Sequence, residues 1–125
     1  MVLDTNVLVC AAKGDSEFHN ACKELLDRLI DNPSPNYLTW GIAYEFVRVV
    51  THPRVYEVPW NPVNALSFID NLLDTGNFFL LTETDRHLEV FSRTLEQLPG
   101  IKGSILHDVH TAVLMREHGI REICT

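Results

Sequence analysis

Val2-Leu3-Asp4-Thr5-Asn6 is an apolar run that ends abruptly on an acid, a hydroxyl and an amide. Such a run reads as a short strand buried on both faces. A carboxylate placed just beyond it costs free energy unless it is hydrogen-bonded or bound to a cation. Asp4 can avoid that cost by capping the turn or helix that follows, with Asn6 as a turn residue. It can equally do so by holding a metal ion.

Outward from this stretch, short apolar strands alternate with helices. Asp15-Ser16 offers an N-cap, and Phe18, Cys22, Leu25, Leu26, Leu29 and Ile30 follow with helical spacing. Asn32-Pro33-Ser34-Pro35-Asn36 ends that helix. Tyr37-Leu38 is a strand candidate, and Thr39 can cap a helix that runs to Val50 and stops at His52-Pro53. Asn61-Pro62 starts another, with Ala65, Leu66, Ile69, Leu72 and Leu73 on its apolar face and Gly76 closing it. Phe78-Phe79-Leu80-Leu81 reads as a buried strand. Thr84 or Asp85 caps the helix bearing Leu88, Phe91, Leu95 and Leu98, which ends at Pro99-Gly100. Ser104 caps the last helix, which reaches Glu117 with Gly119 as its C-cap, and residues 121–124 form a final strand. The alternation predicts an α/β fold with a parallel sheet, whose ligands bind beyond the carboxyl ends of the strands. Asp4 and Thr125 both lie at such ends, beside the same crevice.

A length of 125 residues predicts one domain with a sizeable core. Ten Lys and Arg against 17 Asp and Glu leave a net charge of −7, which argues against a binder relying on a broad basic surface. It does not argue against an enzyme that meets nucleic acid through a bound metal. Cys10, Cys22 and Cys124 are an odd number without CxxC spacing, so they read as small apolar residues in a reducing compartment rather than a disulfide framework. No apolar run reaches the roughly 18 residues of a membrane span, and no basic segment precedes the first apolar stretch. A cytoplasmic protein with no membrane contact is the expectation.

Two further acids fall on helix faces predicted to be buried. Glu45 projects between Ile42 and Val49 on the face that also carries Phe46. Its rival partner is Arg48, one turn on. Asp108 shares a face with Ile105, Ala112 and Met115, although an acid so near a helix N-terminus is also favoured by the helix dipole. His107 and His110 point elsewhere on the wheel and read as surface residues. Arg54, Arg86 and Arg93 read as surface pairs, and Trp60 as packing beside Pro59 and Pro62. Asp4, Glu45 and Asp108 together supply only oxygen ligands, which suits Mg²⁺ or Mn²⁺ rather than zinc. Carboxylate-held hard metals are suited to phosphodiester hydrolysis.

Asp4-Thr5-Asn6, Tyr44-Glu45-Phe46 and Leu106-His107-Asp108 resemble the acidic motifs of PIN-domain ribonucleases. His52-Pro53-Arg54-Val55 strengthens the likeness to the VapC-type toxins of toxin–antitoxin pairs. The resemblance spans the chain and implies a three-layer α/β/α PIN-like domain over residues 1–125. It implies that Asp4 and Asp108 ligate metal, with Glu45 a ligand directly or through water. Thr5 and Asn6 would orient Asp4 and its water. Thr125 matches the threonine of the family's Thr-x-Asp motif and would contact phosphate or support the site. The family's fourth acid would fall two positions beyond Thr125, so the chain is expected to lack the family's last strand and helix and to bind metal weakly. The implied activity is an endoribonuclease leaving 5′-phosphate and 3′-hydroxyl ends. Its partners would be RNA, a cognate antitoxin and a second copy of the chain, for which residues 62–75 and 86–98 are candidate dimer surfaces. Two rivals stand beside this reading. Asp4-x-Asn6 resembles the Asp-x-Asp of haloacid-dehalogenase-type phosphatases, although Asn6 cannot serve as an acid or base. A PIN-like module that binds a partner without cleaving is the other.

Overall fold

The computed structural model describes every residue except Asp15 and Ser16, together with all side chains but that of Ser104. Four strands form one parallel sheet in the order β3-β2-β1-β4: β1 (Val2–Leu3), β2 (Asn36–Thr39), β3 (Phe78–Leu81) and β4 (Ile123–Cys124). Six helices connect them: α1 (Thr5–Ala12), α2 (His19–Asp31), α3 (Trp40–Val50), α4 (Pro62–Leu73), α5 (His87–Gln97) and α6 (Leu106–His118). The crossovers from β1 to β2 and from β2 to β3 step the same way, and the third returns across the sheet to β4. Right-handed connections therefore put α1 to α4 on one face and α5 with α6 on the other. This is the three-layer α/β/α arrangement expected of the sequence.

Burial explains why the strands are so short and so apolar. Val2, Leu3 and Leu38 have no exposed surface, because β1 and β2 are interior strands covered on both faces. The main core joins them to Leu8, Phe46, Val50 and Ile69 from α1, α3 and α4. A smaller cluster of Val90, Val109 and Val113 seals α5 against α6. Phe46 stacks on Phe68 with ring centroids 5.1 Å apart and meets Trp60 edge-on at 6.3 Å. Trp60 thus packs into this aromatic group. Lys13 lies over Tyr56 and Trp60 and donates to the Val58 carbonyl, which fastens the loop after α3 to the end of α1.

Several helix ends follow the chemistry expected of them. Thr39 accepts from the Ile42 amide at 3.0 Å, Asn61 accepts from the Val63 amide at 2.7 Å with Pro62 next in line, and Gly119 ends α6 at φ 69°. Thr39→Val keeps the shape but leaves a fully buried amide without its partner. We expect it to lower stability by about 1–2 kcal/mol in urea or thermal unfolding, with the slope on denaturant unchanged.

Other expectations are corrected. Thr5–Ala12 is a helix that the apolar periodicity alone did not delimit. The Asp15-Ser16 cap lies outside the described residues. α5 starts at His87 rather than directly after Thr84 or Asp85; in the turn before it the Thr84 hydroxyl accepts from the Arg86 amide and donates to Glu117. α6 starts at Leu106, after a 3₁₀ turn over Gly103–Ile105, and β4 is confined to Ile123–Cys124. The cysteine reading fails as well: Cys10 and Cys22 form a disulfide between α1 and α2, with Cα atoms 5.8 Å apart, and only Cys124 is free. The two helices fold back on each other and bring together sulfurs that lie 12 positions apart in sequence. The cysteine argument for a reducing compartment falls with it. Among the described residues, no helix is long and apolar enough to cross a membrane.

Candidate active site

The loop at the end of β1 and the first turns of α3 and α6 meet at the carboxyl edge of the sheet, around a crevice of about 430 Å³. Asp4, Thr5, Asn6, Glu45 and Asp108 all line it. Each arrives by a different local device. Asp4 sits one residue beyond β1, where its amide donates to the Cys124 carbonyl and its Oδ1 accepts from the Thr5 amide at 2.8 Å. It therefore caps α1 and faces the crevice at once, so the two sequence readings of Asp4 are compatible. Glu45 is carried by α3, which Thr39 caps directly after β2. Asp108 lies in the first turn of α6.

The acids are less buried than the periodicity implied. Asp4 and Glu45 are half-buried and Asp108 is exposed. A position at the strand ends lies beyond the sheet's covering, so a face that is apolar lower on the helix opens to solvent there. The three carboxylates also do not form a compact ligand group. Among the described residues, the only such cluster is Glu83, His87 and His110. Glu45 is drawn toward Arg48, which grips it through two bonds, Nη2 to Oε1 at 2.6 Å and Nε to Oε2 at 3.1 Å. The hydrogen bond from Arg48 holds the Glu45 carboxyl below its usual 4.5. Partial burial opposes this shift, and the charges of Arg48 and His107 add to it. The pairing that the sequence offered as the ordinary alternative for Glu45 is thus present.

Thr125 follows Cys124, whose partner on β1 is Leu3, so the register does bring Thr125 alongside Asp4. Thr125 is nevertheless not among the residues lining the crevice. His107, read as a surface residue, does line it, as do Gly41, Ile42, Arg48 and Thr111. His107 is exposed, as that reading has it, and the crevice lies off the end of α6, where residues from more than one face reach it. His110 is bound too, to Glu83 at 2.9 Å. No signal in α6 alone could have found that contact, since its partner lies 27 positions away. Arg86 and Arg93 pair with Glu89 on the surface, as expected.

Chemically, the donor set suits a hard divalent cation: carboxylate oxygens beside an amide and hydroxyls, with no sulfur. Among the described residues, Glu45 alone of these three acids is ion-paired, to Arg48.

No family model matches the chain. Ribonuclease VapC48 of Mycobacterium tuberculosis is 32% identical over 120 residues, covering 96% of this chain and 82% of that protein. VapC ribonuclease Mb2897 of Mycobacterium bovis is 32% identical over 118 residues, covering 94% of this chain and 80% of that protein. Ribonuclease VapC25 of Mycobacterium tuberculosis is 26% identical over 121 residues, covering 94% and 82%. These likenesses favour neither the phosphatase reading nor the non-catalytic one. With near-complete coverage, a parallel three-layer sheet and the acids gathered at its carboxyl edge, the chain belongs to the VapC ribonuclease family.

Proposed function

We propose that this protein is a metal-dependent endoribonuclease and the toxin of a toxin–antitoxin pair, working in the cytoplasm with Mg²⁺ or Mn²⁺. The observation that carries the reading is the convergence of Asp4, Glu45 and Asp108, from three distant stretches of chain, on one crevice at the strand ends. The names of the relatives support RNA as the substrate.

In this reading Asp4 and Asp108 hold the cation, and Glu45 joins them directly or through water. The cation supplies a water of lowered pKa and neutralises charge on the attacked phosphodiester. The Thr5 amide fixes the rotation of the Asp4 carboxylate through their hydrogen bond. Asn6, exposed at the crevice wall, offers an amide to a water or a phosphate oxygen. Arg48 holds the Glu45 carboxylate through two hydrogen bonds, and its exposed guanidinium would offer an RNA phosphate a positively charged contact. Thr125 would support Asp4 from the neighbouring strand. An antitoxin carrying a basic side chain would occupy the acidic crevice and compete with the cation. For a second copy of the chain, α4 offers exposed Val63 and Leu66, and α5 offers exposed Leu88 and Leu95.

Incubation of a mixed RNA pool with the protein and Mn²⁺ or Mg²⁺, with EDTA as control, tests the activity. Cleavage that stops in EDTA is expected, and cleavage indifferent to EDTA would remove the metal from the reading. Arg48→Ala is expected to tighten Mn²⁺ binding by about three- to tenfold in titration calorimetry, since it removes the cation that competes for the Glu45 carboxylate. Unchanged or weakened binding would detach Glu45 from the metal.

A further inference from the structure

Beyond the acidic crevice, the loop between β3 and α5 is pinned to α6 by an unusual concentration of imidazole and carboxylate. His110 Nε2 lies 2.9 Å from Glu83 Oε1, and His87 Nδ1 lies 2.7 Å from Glu117 Oε2. The two imidazole rings meet edge to face, with centroids 5.8 Å apart and planes at 89°. Glu83, His87 and His110 can each present one ligand atom, and these atoms all lie within 4.8 Å of one another.

We propose that Glu83, His87 and His110 form a second cation site, one that takes a borderline divalent ion of the zinc class rather than the hard ion of the crevice. The donor chemistry differs from that of the crevice in kind. Two imidazoles and one carboxylate match the three-ligand sets that hold zinc with a water in the fourth position. Imidazole nitrogen favours Zn²⁺, Co²⁺ and Ni²⁺ over Mg²⁺. The surroundings of His87 are those of a metal-bound histidine. Its Nδ1 is engaged by the Glu117 carboxylate, which leaves Nε2 for an ion, and a carboxylate behind a histidine orients the ring and raises its basicity. Glu117 is itself held in place: its side chain has no exposed surface, and its Oε1 accepts from both the amide and the hydroxyl of Thr84. Glu117 is therefore committed to positioning, while Glu83 is exposed, with Oε1 against His110 Nε2.

A plain clamp between loop and helix needs less than this. The Thr84–Glu117 bonds and the contact of His118 Nε2 with the Thr82 carbonyl, 2.7 Å, already tie the loop down. His110 and Glu83 add to that anchorage mainly a converging pair of metal-competent atoms beside His87. An occupied site would fasten the loop to the helix that carries Asp108, two positions before His110.

Cobalt(II) titration of the full chain, followed by visible absorption, tests the proposal. One equivalent of Co²⁺ should give the intense bands of a four-coordinate site with nitrogen ligands. Those bands should persist in Asp4→Asn, which alters only the crevice. They should need at least about tenfold more Co²⁺ in Glu83→Gln and in His87→Gln. Circular dichroism checks that each variant is folded, and the exposed Glu83→Gln decides alone if His87→Gln is not. Absence of intense bands in the wild type would overturn the proposal. So would bands that form at an unchanged Co²⁺ concentration in the folded Glu83→Gln variant, or bands lost in Asp4→Asn, which would put the ion in the crevice.

Discussion

Asp4→Asn should reduce metal-dependent RNA cleavage by more than about 100-fold while leaving the fold intact. The size of the effect follows from position. Disturbing the groups behind a metal ligand typically costs 10–100-fold in affinity or activity, so neutralising a ligand itself should cost more. The fold should survive because the structural task of Asp4 is one that asparagine also performs. Asn is as good an N-cap as Asp, and its side-chain oxygen can still accept from the Thr5 amide. The variant thus separates the two roles that Asp4 combines. Initial rates on a fluorescent RNA at saturating Mn²⁺, beside thermal melts of both proteins, make the comparison. A large loss of rate with an unchanged melting temperature is the expected pair of results. Near-normal cleavage by a folded Asp4→Asn protein would remove Asp4 from the metal site. Asp108→Asn should behave alike, with still less effect on stability, since Asp108 is exposed and makes no cap.

Phe46→Ala should have the largest effect on stability, about 3–5 kcal/mol, the usual range for truncating a buried aromatic. Phe46 has no exposed surface and sits between Phe68 and Trp60. Its loss would open a cavity where α3, α4 and the loop after α3 meet. For a domain of this size, a drop in melting temperature of about 10–20 °C would follow. Because Glu45 precedes Phe46 on α3, activity should decline in parallel with the folded fraction rather than by a separate factor. A shift of only a few degrees would mean that the aromatic cluster repacks around the gap.

Much of the architecture was legible because it rests on local rules. The apolar stretches at Val2-Leu3 and 78–81, with helix signals between them, call for parallel strands, and the sheet contains both, but β3 is an edge strand that leaves Phe79 exposed rather than buried. Thr39, Asn61-Pro62 and Gly119 marked helix ends through chemistry that operates within three or four residues, and all three act as expected. α1 was less visible, since eight mostly apolar residues do not show which face is buried. α5 and α6 start later than the caps named in the sequence, α6 after a 3₁₀ turn.

The candidate site divides along the same line. The sequence by itself placed Asp4 just beyond a strand and Glu45 and Asp108 on helix faces, because strand pattern and helical periodicity are one-dimensional facts. It also determined that their ligand atoms are oxygens. Only the tertiary structure decided how open the crevice is and that His107 joins the wall. It alone joined Cys10 to Cys22, and Glu83 and His87 to His110. The physical reason is range. Capping, periodicity and turn chemistry act over a single helical turn, whereas a disulfide, an ion pair or a metal cluster depends on where crossovers deliver residues far apart in the chain.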